Sequence, residues 1–252
     1  AGAFPLIAAN PVTSMANEDL EAMPLRFDGG ALQAMAVFRA RPGTSRHSTV
    51  RLADLGSVAG PPDGVPDLVA TPWRGHDPLV LFPGTSSGGQ LTFAAAPRVL
   101  MNAAGADPLR YLDAQRLPLT EGGPERLVST TLTFPLDASR SSQLAVHVDT
   151  PAGLRTTSVG SRNGEAVTLR ARLDDDAHTD IVLVSDAGTA AFLYGDGQGG
   201  FSAACRRVGF LPTGAWVVDA DGDGRDDVAV YDATLESVFL LRNTGRVTEP
   251  CP

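Results

Sequence analysis

Lysine is missing altogether: the 252-residue chain takes all 20 of its basic charges from arginine. This reads as a coding bias, although arginine is also the better partner for buried carboxylates. Positive charge is outnumbered by 29 acidic residues, for a net charge of −9. Such a balance argues against binding nucleic acid through its phosphates. Cysteine is nearly absent, with only Cys205 and Cys251. Neither lies in a CxxC or Cys/His cluster, so the spacing argues against zinc. A Cys205–Cys251 disulfide and two free buried thiols both remain open. No apolar run is long enough to span a membrane as a helix, and no direct membrane insertion is expected. Long segments of helical period are also lacking. What is abundant instead is glycine (27) and proline (19), which points to many short strands joined by turns. The chain starts at Ala1 with neither Met nor a charged-then-apolar leader. It is read as a processed mature form or an excised fragment.

The most specific stretch is residues 219–227, Asp-Ala-Asp-Gly-Asp-Gly-Arg-Asp-Asp. Five carboxylates within nine residues repel one another unless a cation neutralises them. Hard oxygen ligands in a glycine-containing loop suit Ca²⁺ better than zinc or copper. Counted from Asp219, the loop meets the first requirements of an EF-hand, but its twelfth position is Val230, which cannot ligate. Its flanks, Ala215–Val218 and Val228–Tyr231, are short and β-branched or aromatic, without helical period. The expectation is strand–loop–strand. An acidic turn without a cation is the alternative.

Segments similar to the one that follows this loop recur along the chain. Asp227-Val-Ala-Val has counterparts in Asp180-Ile-Val-Leu, Arg126-Leu-Val, Asp67-Leu-Val and Pro5-Leu-Ile-Ala. The anchors Pro5, Asp67, Arg126, Asp180 and Asp227 are 62, 59, 54 and 47 residues apart. A second apolar strand follows each anchor: Met23–Phe27, Pro78–Phe82, Leu144–Val148, Ala190–Tyr194 and Val238–Leu241. Turn residues and a further strand come next. A strand also precedes each of the last four loops, at Val50–Asp54, Leu109–Asp113, Val167–Leu173 and Ala215–Asp219. A four-stranded unit repeated every 45–60 residues or so is the signature of a propeller.

The pattern strand–DxDGDGxxD–strand resembles the FG-GAP/VCBS repeats of integrin-α-like β-propellers. Phe93-Ala-Ala-Ala-Pro97 and Phe201-Ser-Ala-Ala204 look like worn copies of that family's Phe-Gly/Gly-Ala-Pro signature. The resemblance implies an all-β propeller of about five four-stranded blades, the first lacking its innermost strand. Part of a seven-bladed propeller is the alternative. The units would fall near residues 1–49, 50–107, 108–165, 166–213 and 214–252 of a single domain. It further implies Asp219, Asp221, Asp223 and Asp227 as side-chain calcium ligands, with the Arg225 carbonyl completing the set and Asp226 turned to solvent. The other loops are degraded. Arg172 replaces Asp219's counterpart beside Asp174, Asp176 and Asp180, so a guanidinium could stand in for the cation there, with a weak second calcium site as the rival. The 54–67 loop keeps Asp54, Asp63 and Asp67, and the 113–126 loop keeps Asp113, Glu121 and Glu125; neither is expected to bind tightly.

No catalytic constellation stands out. His47, His76, His147 and His178 share no ligand spacing and are expected to be solvated or in turns. Ser86-Ser87 lacks a nucleophile elbow, and Asp196 sits in a Gly-rich turn lacking the Lys-Ser/Thr of a phosphate loop. Trp73, Arg74 and His76 form a plausible contact patch. Trp216 is expected in the core. Ser14–Glu21 has helix-like composition and reads as an insertion. Three functions follow. The first is a non-catalytic calcium-binding module for adhesion to a protein or glycan partner, outside the cytoplasm: extracellular, at the cell surface or periplasmic. The second is a carbohydrate-active enzyme, a glycosidase or lyase, using Asp54, Asp113 and Asp174. The third is a structural part alongside other domains of a longer parent chain.

Overall fold

The computed structural model describes residues 6–10, 20–28, 31–34, 38–40, 47–53, 63–72, 79–87, 90–101, 109–133, 143–161, 166–209 and 212–251. Those residues contain strands, turns and loops but no helix. The chain divides into two compact units, Ala1–Tyr111 and Leu112–Pro252.

The first unit begins with a sheet of β1 (Leu6–Asn10), β2 (Leu20–Asp28) and β3 (Ala31–Ala34), with β4 (Phe38–Ala40) also on β2. Next come β5 (His47–Ala53), β6 (Asp67–Pro72) and β7 (Leu79–Phe82). A hairpin of β8 (Gly84–Ser87) and β9 (Gln90–Phe93) is inserted before β10 (Arg98–Met101), which completes the second sheet on β7. The Phe93–Pro97 stretch falls between the two strands: β9 ends at Phe93, and the fourth strand of the sheet starts at Arg98. Phe38 meets Phe82 and Phe93 edge-on, with ring centroids 5.2 and 5.3 Å away.

The second unit stacks three sheets. They are β11 (Leu109–Pro118), β12 (Glu125–Thr133), β13 (Gln143–Thr150) and β14 (Gly153–Ser161); then β15 (Ala166–Ala171), β16 (Asp180–Ser185), β17 (Thr189–Gly195) and β18 (Phe201–Arg207); then β19 (Gly214–Val218), β20 (Asp227–Asp232) and β21 (Ser237–Leu241). Each is an antiparallel meander in sequence order, the last with three strands rather than the four expected. Among the described residues, no sheet closes on itself.

The middle sheet of this stack explains the unbroken apolar runs in the sequence. Successive side chains of a strand point to opposite faces. Ile181, Leu183, Ala191 and Leu193 pack with Val128, Leu144 and Val146 of the preceding sheet. Their neighbours Val182, Val184, Ala190 and Phe192 pack with Val228 and Val230 of the following one. All six residues of β16 are buried as a result.

Two backbone devices repeat. First, Asp67, Asp180 and Asp227, each at the start of its sheet's second strand, are buried. Asp180 Oδ2 accepts from the Leu173 N–H at 2.7 Å and Oδ1 from the Gly195 N–H at 2.9 Å. Asp227 takes the N–H groups of Ala220 (3.2 Å) and Asn243 (2.7 Å) in the same way, and Asp67 takes that of Gly84 (2.9 Å). One carboxylate thus clasps two neighbouring strands to a loop. At Gly195 the approach is close: a Cβ there would lie 2.4 Å from the Thr179 carbonyl oxygen. Second, consecutive sheets are tied at their loops. The Thr179 N–H donates to Leu119 O at 3.0 Å, and the Asp226 N–H to Arg172 O at 2.8 Å.

Candidate metal centre

The acidic loop joins β19 to β20, where alternation of β-branched residues gives way to glycine and aspartate. Gly222 and Gly224 have φ of 78° and 84°, the left-handed region that glycine adopts without strain. These two turns fold the loop onto Asp219, whose Oδ1 accepts from the Gly222 N–H (2.7 Å) and Oδ2 from the Gly224 N–H (3.1 Å). The result brings Asp219, Asp221 and Asp223 together, with one carboxylate oxygen from each inside a 4.8 Å cluster. All three are exposed.

The two other residues of the expected ligand set stand differently. Asp227 is outside the cluster and serves as the buried clasp described above. Arg225 brings its guanidinium to the cluster: Nε and Nη2 both donate to Asp223 Oδ2, at 3.1 and 2.7 Å. These two bonds to one oxygen hold the Asp223 carboxyl below its ordinary pKa. Arg242 adds a second guanidinium 3.9 Å from Asp221. Asp226 does not turn to solvent: it is half-buried, and its Oδ2 accepts from the Arg172 N–H at 2.6 Å.

The donor set fits a hard divalent cation. Three carboxylates converge, and a carboxylate oxygen already accepting one N–H keeps a further lone pair. The competing feature is the Arg225 fork, which neutralises Asp223 in the geometry seen. A cation would have to displace it. Asp219, Asp221 and Asp223 would then be the residues that hold the ion.

The degraded loops are organised by protein groups. In the 174–180 loop, Asp174 Oδ1 accepts from the Asp176 N–H (3.2 Å) and Asp176 Oδ1 from the His178 N–H (2.8 Å). The guanidinium beside Asp174 belongs to Arg246, 3.8 Å away, rather than to Arg172. Arg246 also lies 4.3 Å over the Tyr194 ring. Burial pushes the Asp180 carboxyl above its ordinary value, against the opposing effect of its two backbone bonds. Asp113 lies within β11, buried, rather than in a loop, while Glu121 and Glu125 are exposed. Asp54, Trp73, Arg74, His76 and the helix-like residues 14–19 lie outside the described residues, whereas Leu20 and Glu21 begin β2.

Two other expectations are corrected. His147 is not solvated: it is buried, its ring nitrogens 2.8 Å from Thr131 Oγ1 and 2.9 Å from Thr156 Oγ1. That burial lowers its pKa. Trp216 is not in the core but 51% exposed, because it lies on the face of β19 turned away from the middle sheet. Sequence reasoning missed Arg242, Asn243 and Arg246. Only Asn243 had a signal: it follows Asp227 by 16 residues, much as Gly195 follows Asp180 by 15 and Gly84 follows Asp67 by 17.

Cys205 and Cys251 sit at disulfide distance, with sulfurs 2.06 Å apart. The tail after β21 therefore runs back along the middle sheet. The Cys205 N–H donates to Glu249 O at 2.8 Å, and the Val247 N–H to the Tyr194 hydroxyl at 2.8 Å.

Fold and site together define an all-β protein of small antiparallel sheets with an exposed carboxylate cluster able to hold a metal ion. Comparison with protein-family models, curated proteins and solved structures finds no match.

Proposed function

We propose that the chain is a non-catalytic, calcium-binding β-propeller module that presents loops to a protein or glycan partner outside the cytoplasm. The observation that carries this is the Asp219–Asp221–Asp223 cluster on a strand–loop–strand turn. Hard carboxylate oxygens in a flexible, glycine-hinged loop favour Ca²⁺ over softer ions. The propeller reading draws support from the sheets of the second unit, which stack face to face with first strands β15 and β19 side by side. A cysteine pair at disulfide distance is consistent with an oxidising compartment, and no helix among the described residues is long and apolar enough to cross a membrane.

Calcium on this reading fastens β19 to β20 rather than doing chemistry. The test combines calorimetric calcium titration with a glycan array and a pull-down, each run with and without EDTA. One calcium site and partner binding are expected. Absence of any calcium heat removes the metal, and binding indifferent to EDTA confines calcium to stability. Glycan hydrolysis that is lost in Asp113→Asn or Asp174→Asn would replace the module by an enzyme.

A further inference from the structure

The core between the first two sheets of the second unit opens at one end into a cleft of about 520 Å³. Both of its walls belong to that unit. On one side are the β11–β12 loop, the β13–β14 turn and the starts of β12 and β14; on the other is the β17–β18 turn, with Gly197 and Gln198.

Two arginines line the cleft, Arg126 and Arg155, and among the described residues no carboxylate does. Strand register places them. Val128, Val148 and Arg155 lie opposite one another across β12, β13 and β14. Arg126 stands two residues before Val128 and so leaves the same face of the sheet. That face packs on the middle sheet through Val128 and Val148. Both guanidiniums therefore stand where the apolar core ends. Two strand spacings and a two-residue step put their backbones roughly 12 Å apart, within reach of one ligand. Glu125 and Asp149 alternate onto the opposite face.

The cleft is held in shape before any ligand arrives. Arg155 Nη1 donates to Gln198 O at 3.0 Å and lies 3.4 Å from Asp196 Oδ2. Asp196 Oδ1 in turn accepts from the Gln198 and Gly200 N–H groups at 2.7 and 2.8 Å. The turn sits tightly on β13: a Cβ at Gly199 would lie 2.9 Å from Thr150 Cγ2. Nε and Nη2 of Arg155, and the whole Arg126 guanidinium, make no hydrogen bond or ion pair among the described residues. The Arg155–Asp196 pair is half exposed on both sides, so it holds weakly. Free guanidinium forks match a planar carboxylate.

We infer that this cleft binds an acidic sugar, a uronate-type unit whose carboxylate sits between Arg126 and Arg155. The inference rests on the glycan reading of the module, and the cleft is separate from the aspartate cluster. Sugar hydroxyls both donate and accept, and the walls offer both kinds of partner in the Thr120 hydroxyl and the Gln198 side-chain amide. The volume is of small-molecule size. It holds one or two sugar rings and is far smaller than the footprint of a protein partner.

Calorimetric titration of the full chain with digalacturonate in EDTA tests this. The chelator keeps the sugar from bridging to the aspartate cluster through calcium. A dissociation constant on the order of a millimolar or below is expected, with no binding of the neutral galactose disaccharide. Arg126→Gln and Arg155→Gln should each weaken binding about tenfold or more, the worth of a hydrogen bond to a charged group. Arg126→Gln should melt as the parent does, because that guanidinium holds nothing else among the described residues. A dissociation constant above about 10 mM in EDTA overturns the inference. Affinity unchanged in Arg126→Gln, or equal affinity for the neutral disaccharide, also overturns it. A glutamate-rich peptide that binds through Arg126 where digalacturonate does not would overturn the sugar as occupant. If glycans on an array bind but ignore both substitutions, this inference fails alone; if neither glycan nor protein binds, the module reading fails with it.

Discussion

Replacing Asp180 by Ala should destabilise the second unit by about 2–5 kcal/mol. The carboxylate is fully buried and accepts two backbone N–H bonds, from Leu173 and Gly195. Alanine leaves both donors without a partner, at roughly 1–3 kcal/mol each. Part of that is recovered because a buried carboxylate is itself costly, as its raised pKa attests. Asp180→Asn should fall between: its carbonyl oxygen keeps one bond, while its NH₂ opposes the other N–H. In a chain of this size the alanine variant should melt on the order of 5–15 °C lower. Urea denaturation gives the free energy, and amide exchange gives the location, since protection of the Leu173 and Gly195 amides should be lost together. The pH dependence has a defined sign. A raised folded pKa means that Asp180 contributes stability fully below the ordinary carboxylate value of 3.8, and that this is lost as pH rises through the raised value. Asp180→Asn should remove that slope. A loss under about 0.5 kcal/mol with both amides still protected would refute the clasp.

Three further outcomes follow. At calcium a hundredfold above its dissociation constant, the cation should add about 2.7 kcal/mol to stability; Asp221→Ala should abolish this rise, read as the shift in melting between calcium and EDTA. Cys251→Ser should cost up to about 4 kcal/mol by the chain-entropy estimate for a 46-residue separation, measured by denaturation of the oxidised parent and the variant. Because burial lowers the His147 pKa, stability should be full above about 6.5 and fall as pH drops below it. His147→Gln should lack that decline in melting temperature between pH 7.5 and 5.

Strand positions around the acidic loops were legible because β-branched alternation and glycine-rich turns are local signals. β15 with β16 and β19 with β20 pair on either side of the loops from which they were inferred. The exchange of roles among the aspartates was not legible. Asp223 and Asp227 are identical in composition and four residues apart, yet one is exposed on a guanidinium and the other buried on two N–H groups. The partner that distinguishes them, Asn243, lies 16 residues away from Asp227 in sequence. Arg246, beside Asp174, is more distant still.

Sequence alone determined the all-β class, the acidic loop and the recurrence of an aspartate at the head of a strand. Each of these depends on residue type and short spacing. Tertiary structure decided the fate of those residues. Alternation sends side chains to both faces of a strand, and where both faces are apolar it cannot say which one finds a neighbouring sheet, and so Trp216 is exposed while Phe192 is buried. Spacing likewise places carboxylates near one another, but only folding brings the backbone donors and arginines that assign each one its work.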